Sequence, residues 1–269
     1  MVTTTNHTVP DTFEEPYEGI FDAQGDNHPT LQGIWEDVYG DDYPTDANPD
    51  PTNFMTRTDL ERIVNELQVH AGQTVADLGC GRGKFTLWMA QQSGANFLGI
   101  DLSDEAIHYA KSLVNNSHSE HKVHFQQGTF EASGLDDCSI DGAVSTDALM
   151  FASDITDACH EVARILRLGA CFIFTSWEMS CPSPSLQLPI IPDYKPMLID
   201  AGLTIEVYEE TPNWEVRQRA ILAGIVANKD QLMEEMGEAD AMHLYHWALA
   251  RPNELSNNRR VFVKARKDS

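Results

Sequence analysis

The segment that says most about the fold reads Thr74-Val75-Ala76-Asp77-Leu78-Gly79-Cys80-Gly81-Arg82-Gly83-Lys84. An apolar run of the kind that forms a strand leads into glycines at alternate positions, and a helical pattern follows at once. Glycine permits the tight turn between strand and helix and lets the backbone approach a ligand closely. The first turn of the helix then offers free N–H groups at the carboxyl edge of the sheet, where such folds bind ligands. The segment therefore predicts a ligand-binding turn.

The spacing of the glycines argues against a dinucleotide. The pattern G-x-G-x-x-G would place a glycine at position 84, but Lys84 stands there. Asp77 lies two residues before Gly79, where it would repel a pyrophosphate and suit a ligand with an ammonium group. Asp101 ends the next predicted strand, about 20 residues after the turn, where a carboxylate accepts hydrogen bonds from ribose hydroxyls. Asp101 could instead cap the next helix, but Ser103 fits that role, so ribose binding is favoured.

Beyond this segment, short β-rich runs alternate with longer helical patterns. The candidate strands lie at 74–78, 96–101, 123–127, 141–146 and 171–176. Strands that alternate with helices predict an α/β protein with a doubly wound, mostly parallel sheet. A helical stretch over 214–249 separates the last two predicted strands, 204–210 and 260–265. We therefore expect an antiparallel last strand and a helical cap insertion over 213–250 that covers the site.

The residues before the glycine turn predict an arm and a lid. Residues 1–30 are polar, acidic and turn-rich, which predicts a mobile N-terminal arm. The remaining residues, 31–269, form one predicted domain, whose first part, 31–58, is a candidate lid over the site. Thr58 is the expected N-cap of a helix that begins at Asp59, with Glu61 completing a capping box.

The composition restricts the partners and the location. The chain has 269 residues and a formal net charge of −24, which predicts repulsion of nucleic acid. A solvated terminal strand explains the basic cluster of Arg259, Arg260, Lys264, Arg266 and Lys267. No apolar run approaches the ~18 residues of a membrane span, and the N-terminus resembles neither a secretory signal nor a mitochondrial presequence. The five scattered cysteines predict reduced thiols, so we expect a cytoplasmic protein without membrane partners.

The segment 77–83, followed by Gly99-Ile100-Asp101, resembles the class I S-adenosylmethionine-dependent methyltransferases. The resemblance extends over about 56–178 and, by strand order, to residue 265. It implies a Rossmann-like seven-stranded sheet and S-adenosyl-L-methionine as the cofactor. Within the family the chain looks like the small-molecule branch, which includes natural-product C-, N- and O-methyltransferases of secondary metabolism.

The resemblance also implies which residues hold the cofactor. Gly79, Gly81 and Gly83 would line the methionine and ribose, Asp77 would lie near the methionine ammonium group, and Asp101 would bind the ribose. The other cofactor candidates are Cys80, Leu102, Gly128, Thr129, Phe130 and Thr146. Thr129 stands where the family often has Asp, so the contact with adenine would come from the backbone N–H of Phe130.

The stretch after the fourth predicted strand, Thr146-Asp147-Ala148-Leu149-Met150, narrows the class of methyl acceptor. It lacks the proline motif of enzymes that methylate exocyclic amines of bases, and it lacks a cysteine nucleophile. A lone acid, Asp147, is too few oxygen ligands for a metal-dependent catechol enzyme. A small molecule with a nucleophilic nitrogen, oxygen or carbon atom remains. Because the sulfonium methyl group is intrinsically reactive, positioning and exclusion of water would supply most of the catalysis.

Candidates for the acceptor side come from the strand ends, the lid and the cap. The catalytic candidates are Glu178, Asp147, Tyr39 and His243, and the substrate-binding candidates are Tyr43, Trp177, Trp214 and His246. Three of them have a structural alternative: Asp147 as a structural contact, Glu178 as a solvent-facing acid, and Tyr39 as a side chain packed on the sheet. His243 and His246 share a helix face without a third ligand nearby, so no metal site is predicted.

Other functions on the same scaffold stay open at this point. A cofactor-binding enzyme that does not methylate, such as a cyclase, would use the same glycine turn, since fold does not fix function. A protein that binds the cofactor as an inactive partner of another enzyme would also have this glycine turn. The sequence is compatible with a homodimer.

Overall fold

The computed structural model describes residues 28–47, 54–116, 123–183, 188 and 190–268. They form a seven-stranded sheet with the strand order β3-β2-β1-β4-β5-β7-β6. The strands are β1 (Thr74–Leu78), β2 (Asn96–Asp101), β3 (Val123–Gln127), β4 (Ile140–Thr146), β5 (Leu166–Met179), β6 (Leu203–Glu210) and β7 (Asn258–Lys267). Strands β1 to β5 pair in parallel, and β7 runs antiparallel between β5 and β6. The predicted doubly wound sheet with an antiparallel last strand is confirmed.

Helices cover both faces of the sheet. They are α1 (Pro29–Tyr39), α2 (Arg57–Leu67), α3 (Lys84–Ser93), α4 (Asp104–Asn116), α5 (Ile155–Ile165), α6 (Lys195–Asp200), α7 (Trp214–Ala227), α8 (Lys229–Met236) and α9 (Glu238–Ala250). Successive side chains of β5 enter two different cores, because neighbouring residues of a strand point to opposite faces. Phe172 packs with Val162 of α5, while Ile173 packs in the core that contains Leu60 of α2 and Phe97 of β2. Burial on both faces explains the nearly continuous apolar runs of the central strands.

Helix α2 begins two residues before the position that the sequence predicts. Its N-cap is Thr56, whose Oγ1 accepts a hydrogen bond from the Asp59 amide at 3.0 Å. Asp59, and not Glu61, completes the capping box. The prediction of Thr58 as the cap was wrong, because the Thr58 amide donates to Asp42 and already belongs to the first turn.

The predicted helical stretch over 214–249 is three helices, α7, α8 and α9, inserted between β6 and β7. The breaks fall at Asn228 and at Gly237, whose φ of +89° ends α8. Helix α1 packs on this insertion: Ile34 lies against Gly224, and Thr30 donates a hydrogen bond to Glu235. The N-terminal helix and the insertion therefore form one layer.

The structure also corrects other sequence predictions. Strand β5 is longer than the predicted 171–176. The prediction of a solvated basic strand was wrong for Arg260 and Lys264. Both side chains are buried, because β7 lies inside the sheet and not at its edge. The predicted mobile arm falls mostly outside the described residues. No helix that the structure describes is long and apolar enough to cross a membrane.

Candidate active site

The glycine turn joins β1 to α3 and needs glycine for two different reasons. Gly79, Gly81 and Gly83 have φ angles of +71°, +52° and +74°, which residues with a Cβ atom rarely adopt. A Cβ atom on Gly79 would lie 2.6 Å from the Cβ of Ala148, and one on Gly83 would lie 2.4 Å from the ring of Phe125. A Cβ on Gly81 would meet no atom within 4 Å. Gly79 and Gly83 thus permit close packing, while Gly81 leaves the backbone open to a ligand.

Asp101 lies at the carboxyl end of β2, directly beside this turn. Its Oδ2 accepts a hydrogen bond from the Gly81 amide at 2.7 Å, and its Oδ1 accepts one from the Ser103 amide at 3.0 Å. Ser103 in turn caps α4, since its Oγ accepts from the Ala106 amide at 3.2 Å. The carboxylate therefore links two segments of the binding edge, and each oxygen keeps a lone pair for a further donor.

Asp77, near the end of β1, is a buried carboxyl group with one unused acceptor. Thr86 donates to its Oδ2 at 2.6 Å, but no described residue lies within hydrogen-bonding distance of Oδ1. Burial and, to a smaller extent, the charge of Asp101 raise the pKa of Asp77 to about 7, although the hydrogen bond from Thr86 lowers it. An unsatisfied buried acceptor costs about 1–3 kcal/mol. A bound ammonium group would satisfy Oδ1 and offset the repulsion between the carboxylates, so the residues fit S-adenosylmethionine.

The loop after β3 completes this side of the site. The Gly128 amide donates to the Asp101 carbonyl at 3.0 Å, and the ring of Phe130 reaches to within 2.8 Å of a Cβ placed on Gly79. The hydroxyl of Thr129 accepts from the Ala132 amide at 3.1 Å, so it is engaged in its own turn.

Three other cofactor candidates surround the turn less closely. Leu102 is 64% exposed, while the Cys80 sulfur lies against Gly99 and its thiol pKa is raised by burial. Thr146 is half-buried at the end of β4.

Asp147, the residue after β4, has an unusual backbone conformation and takes part in a buried ion-pair cluster. Its φ is +52°, a left-handed value that only a few per cent of non-glycine residues adopt. Arg260 on β7 donates to Asp147 through Nε at 3.0 Å and through Nη2 at 3.0 Å. The third nitrogen, Nη1, donates to Asp59 of α2 at 2.9 Å. Asp147 is therefore a structural contact of Arg260, which was the alternative that the sequence offered.

Aromatic side chains gather beside this cluster, on the same face of β5. The ring centroids are 6.1 Å apart for Trp35 and Phe54, 5.7 Å for Phe54 and Trp177, and 5.1 Å for Trp177 and Trp214. We call these four residues the aromatic cluster. It joins β5 to α1 and α7, so two predicted substrate-binding residues, Trp177 and Trp214, lie together.

Tyr39 and Tyr43 are buried beside the aromatic cluster. Their rings stack with centroids 6.4 Å apart, and the guanidinium of Arg217 lies 5.3 Å from the centroid of Tyr39. The Tyr39 hydroxyl donates to the Phe54 carbonyl at 3.3 Å. Burial raises the pKa of Tyr39 well above its ordinary value, so this phenol stays protonated at neutral pH.

Glu178 lies on the opposite face of β5 from Trp177, as its neighbouring position requires. It is buried and accepts hydrogen bonds from the Tyr208 hydroxyl and from Arg259 Nε, the latter at 2.7 Å. The solvent-facing alternative for this acid is therefore wrong, and its carboxylate is already engaged on the side away from the aromatic cluster.

Comparison with known proteins finds a methyltransferase domain in the chain. Residues 76–174 match the methyltransferase domain model, and this range contains the glycine turn, Asp101 and Asp147. This part of the chain is therefore a methyltransferase domain of the class I S-adenosylmethionine-dependent type. It is similar to the dimethylglycine N-methyltransferase of Parasynechococcus marenigrum, with 29% identity over 233 residues that cover 80% of each chain. It spans 34% to 62% of the length of the first four curated relatives that it matches, so their full activities are not carried over to it.

Solved structures support the methyltransferase fold. The phosphoethanolamine N-methyltransferase 2 of Haemonchus contortus superposes with a TM-score of 0.71 at 17% identity, covering 97% of this chain and 62% of that one. The cyclase SpnF superposes with a TM-score of 0.68 at 17% identity, covering 88% of this chain and 93% of that one. At these identities the likeness concerns the fold alone.

The two histidines of the helical insertion lie away from the predicted site. His243 and His246 are exposed on α9, whose buried face carries Ala241, Leu244 and Ala248. Sequence reasoning missed Arg260 and Asp59, because no local pattern connects residues so far apart in the chain. The signal that could have found them is an arginine on a strand next to β5, where a buried charge needs partners.

Proposed function

We propose that this chain transfers the methyl group of S-adenosylmethionine to a small-molecule acceptor. The observation that carries the proposal is the glycine turn with two carboxyl groups beside it: Asp77 has an unused buried oxygen, Asp101 binds the turn itself, and Gly81 is uncovered. When bound, the cofactor supplies an electrophilic methyl group on its sulfonium. Asp77 would accept from the ammonium group and Asp101 from the ribose hydroxyls.

The acceptor would bind at the aromatic cluster, next to Asp147 at the end of β4. Buried aromatic rings exclude water and orient a flat or cationic acceptor. The likeness to a dimethylglycine N-methyltransferase supports an amine among the nucleophiles that the sequence left open. Tyr39 is protonated and Glu178 is paired with Arg259, so positioning of an already nucleophilic acceptor would carry the reaction.

Isothermal titration with S-adenosylmethionine tests the cofactor site. We expect wild-type protein to bind and Asp101→Ala to bind about tenfold to a hundredfold more weakly, because hydrogen bonds to a charged group contribute ~1.5–3 kcal/mol. The matched control is Asp104→Ala, which removes an exposed acid three residues further along and should bind like wild type. Absence of binding by the wild type, or equal binding by Asp101→Ala, would contradict the proposal.

Product mass separates methyl transfer from the rival on the same fold. A gain of one CH2 in the acceptor supports transfer, and an isomer of the substrate supports a cyclase. The relative with 80% coverage is an N-methyltransferase, whereas the likeness to SpnF is one of fold, so methyl transfer is favoured. The chain's net charge of −24 supports the absence of nucleic-acid partners, while the cytoplasmic location and the homodimer stay predictions.

A further inference from the structure

Arg260 connects three parts of the molecule that are distant in sequence. It lies directly opposite Trp177 in the β5–β7 ladder, and its side chain is 3% exposed. Nε and Nη2 hold the carboxylate of Asp147, while Nη1 holds Asp59 at the start of α2. Two carboxylates this close would repel each other in a dry environment, and the planar guanidinium satisfies both.

Asp147 carries this restraint to the cofactor turn. Its amide donates to the Thr175 carbonyl at 3.0 Å, so both its backbone and its carboxylate are fixed. The next residue, Ala148, packs on the glycine turn so closely that a Cβ on Gly79 would lie 2.6 Å from the Ala148 Cβ. A residue with positive φ keeps that conformation when its surroundings over-determine it. Arg260 is thus connected to Gly79 through Asp147 and Ala148.

We propose that Arg260 is a positioning residue of the cofactor site, which fixes the chain after β4 against the glycine turn by holding Asp147 in its left-handed conformation. The proposal rests on the proposed function, since the turn is taken as the site of S-adenosylmethionine. If Arg260 only tied α2 to the sheet, its loss would lower stability and leave the cofactor affinity of the folded protein unchanged. The two roles therefore predict different outcomes.

Lys264 provides a matched control on the same strand. It is also buried on β7, and its Nζ lies 2.8 Å from Glu66 of the same helix α2. Lys264 lies opposite Ile173 of β5, whereas Arg260 lies opposite Trp177. Lys264 is therefore four residues further from the carboxyl end of β5 than Arg260. The Lys264–Glu66 pair thus joins β7 to α2 without reaching the glycine turn.

The test compares Arg260→Lys, Arg260→Met and Lys264→Met by thermal unfolding, titration with S-adenosylmethionine, and amide hydrogen exchange. Small misplacements of groups at an active site can lower the reaction rate about a hundredfold. We expect about tenfold weaker binding for Arg260→Lys, still weaker binding for Arg260→Met, and faster exchange at 79–83 and 147–149. Lys264→Met should unfold at a lower temperature, with wild-type affinity and exchange at the turn.

A folded Arg260→Lys that binds and exchanges like wild type would overturn the proposal, as would equal losses of affinity in Lys264→Met. Should both Arg260 variants fail to fold, Asp147→Asn carries the same test, because it keeps the Arg260–Asp59 pair and weakens the hold on Asp147. If wild type itself binds no cofactor, the proposed function fails, and the exchange at 79–83 still decides whether Arg260 holds the turn.

Discussion

At the scale of single residues, Asp77 makes the protein sensitive to pH. Burial raises its pKa from the ordinary 3.8 to about 7. The folded state therefore keeps a proton that the unfolded state has lost, and the free energy of unfolding decreases as the pH rises from 3.8 to about 7. We expect this decrease in urea unfolding of the ligand-free wild type and not in Asp77→Asn, whose amide cannot ionise. Parallel pH profiles of the two proteins would contradict the assignment.

The same residue predicts how cofactor binding depends on pH. Only the ionised carboxylate attracts an ammonium group, and an α-amino group stays charged up to about pH 8. The affinity of wild type for S-adenosylmethionine should therefore increase as the pH rises through about 7, the pKa of Asp77. In Asp77→Asn the affinity should be lower and flat over this range. Titration calorimetry at several pH values measures both, and a flat wild-type profile would exclude the contact.

At the scale of elements, the start of α2 shows how one residue can serve two structures. Thr56 and Asp59 form the capping box, and Asp59 also accepts from Arg260. Replacing the cap by Thr56→Ala should lower the free energy of unfolding by about 1 kcal/mol, whereas Thr58→Ala should change it by less than about 0.5 kcal/mol. Urea unfolding of both variants checks this, and a larger loss for Thr58→Ala would restore the cap that the sequence suggested.

At the scale of the whole molecule, the contact between α1 and the insertion depends on one glycine. A Cβ on Gly224 would lie 2.7 Å from Cγ2 of Ile34, a stiff β-branched side chain, so Gly224→Ala should destabilise the protein by about 1–3 kcal/mol. In an Ile34→Ala background the clash is gone, and the same change should stabilise by about 0.5–1 kcal/mol because Ala favours helix over Gly.

The control for this contact is Gly33→Ala in α1, where a Cβ would meet nothing within 4 Å. It should stabilise the protein in either background. If Gly224→Ala changes the stability in the same direction in the wild-type and Ile34→Ala backgrounds, the two helices are not packed as described. Thermal unfolding of the four proteins of the cycle, with the Gly33→Ala variant beside them, decides between these results.

The amino-acid sequence by itself predicted the mostly parallel sheet with an antiparallel last strand, the glycine turn and the place of Asp101. These depend on short-range signals: apolar runs, glycines at alternate positions, and an acid at the end of the next strand. The helical insertion was also foreseen, although its breaks at Asn228 and Gly237 were not, because a helical pattern continues through both.

The tertiary structure alone decided the surroundings of Asp147. Its partner Arg260 comes from the last strand and also binds Asp59 of α2, and the three residues meet because β7 inserts between β5 and β6. The same placement buries Arg260, which in the sequence looks like part of a solvated tail. These two ion pairs join residues 113 and 201 positions apart. Such pairing depends on strand order and register, which local propensity and periodicity do not contain.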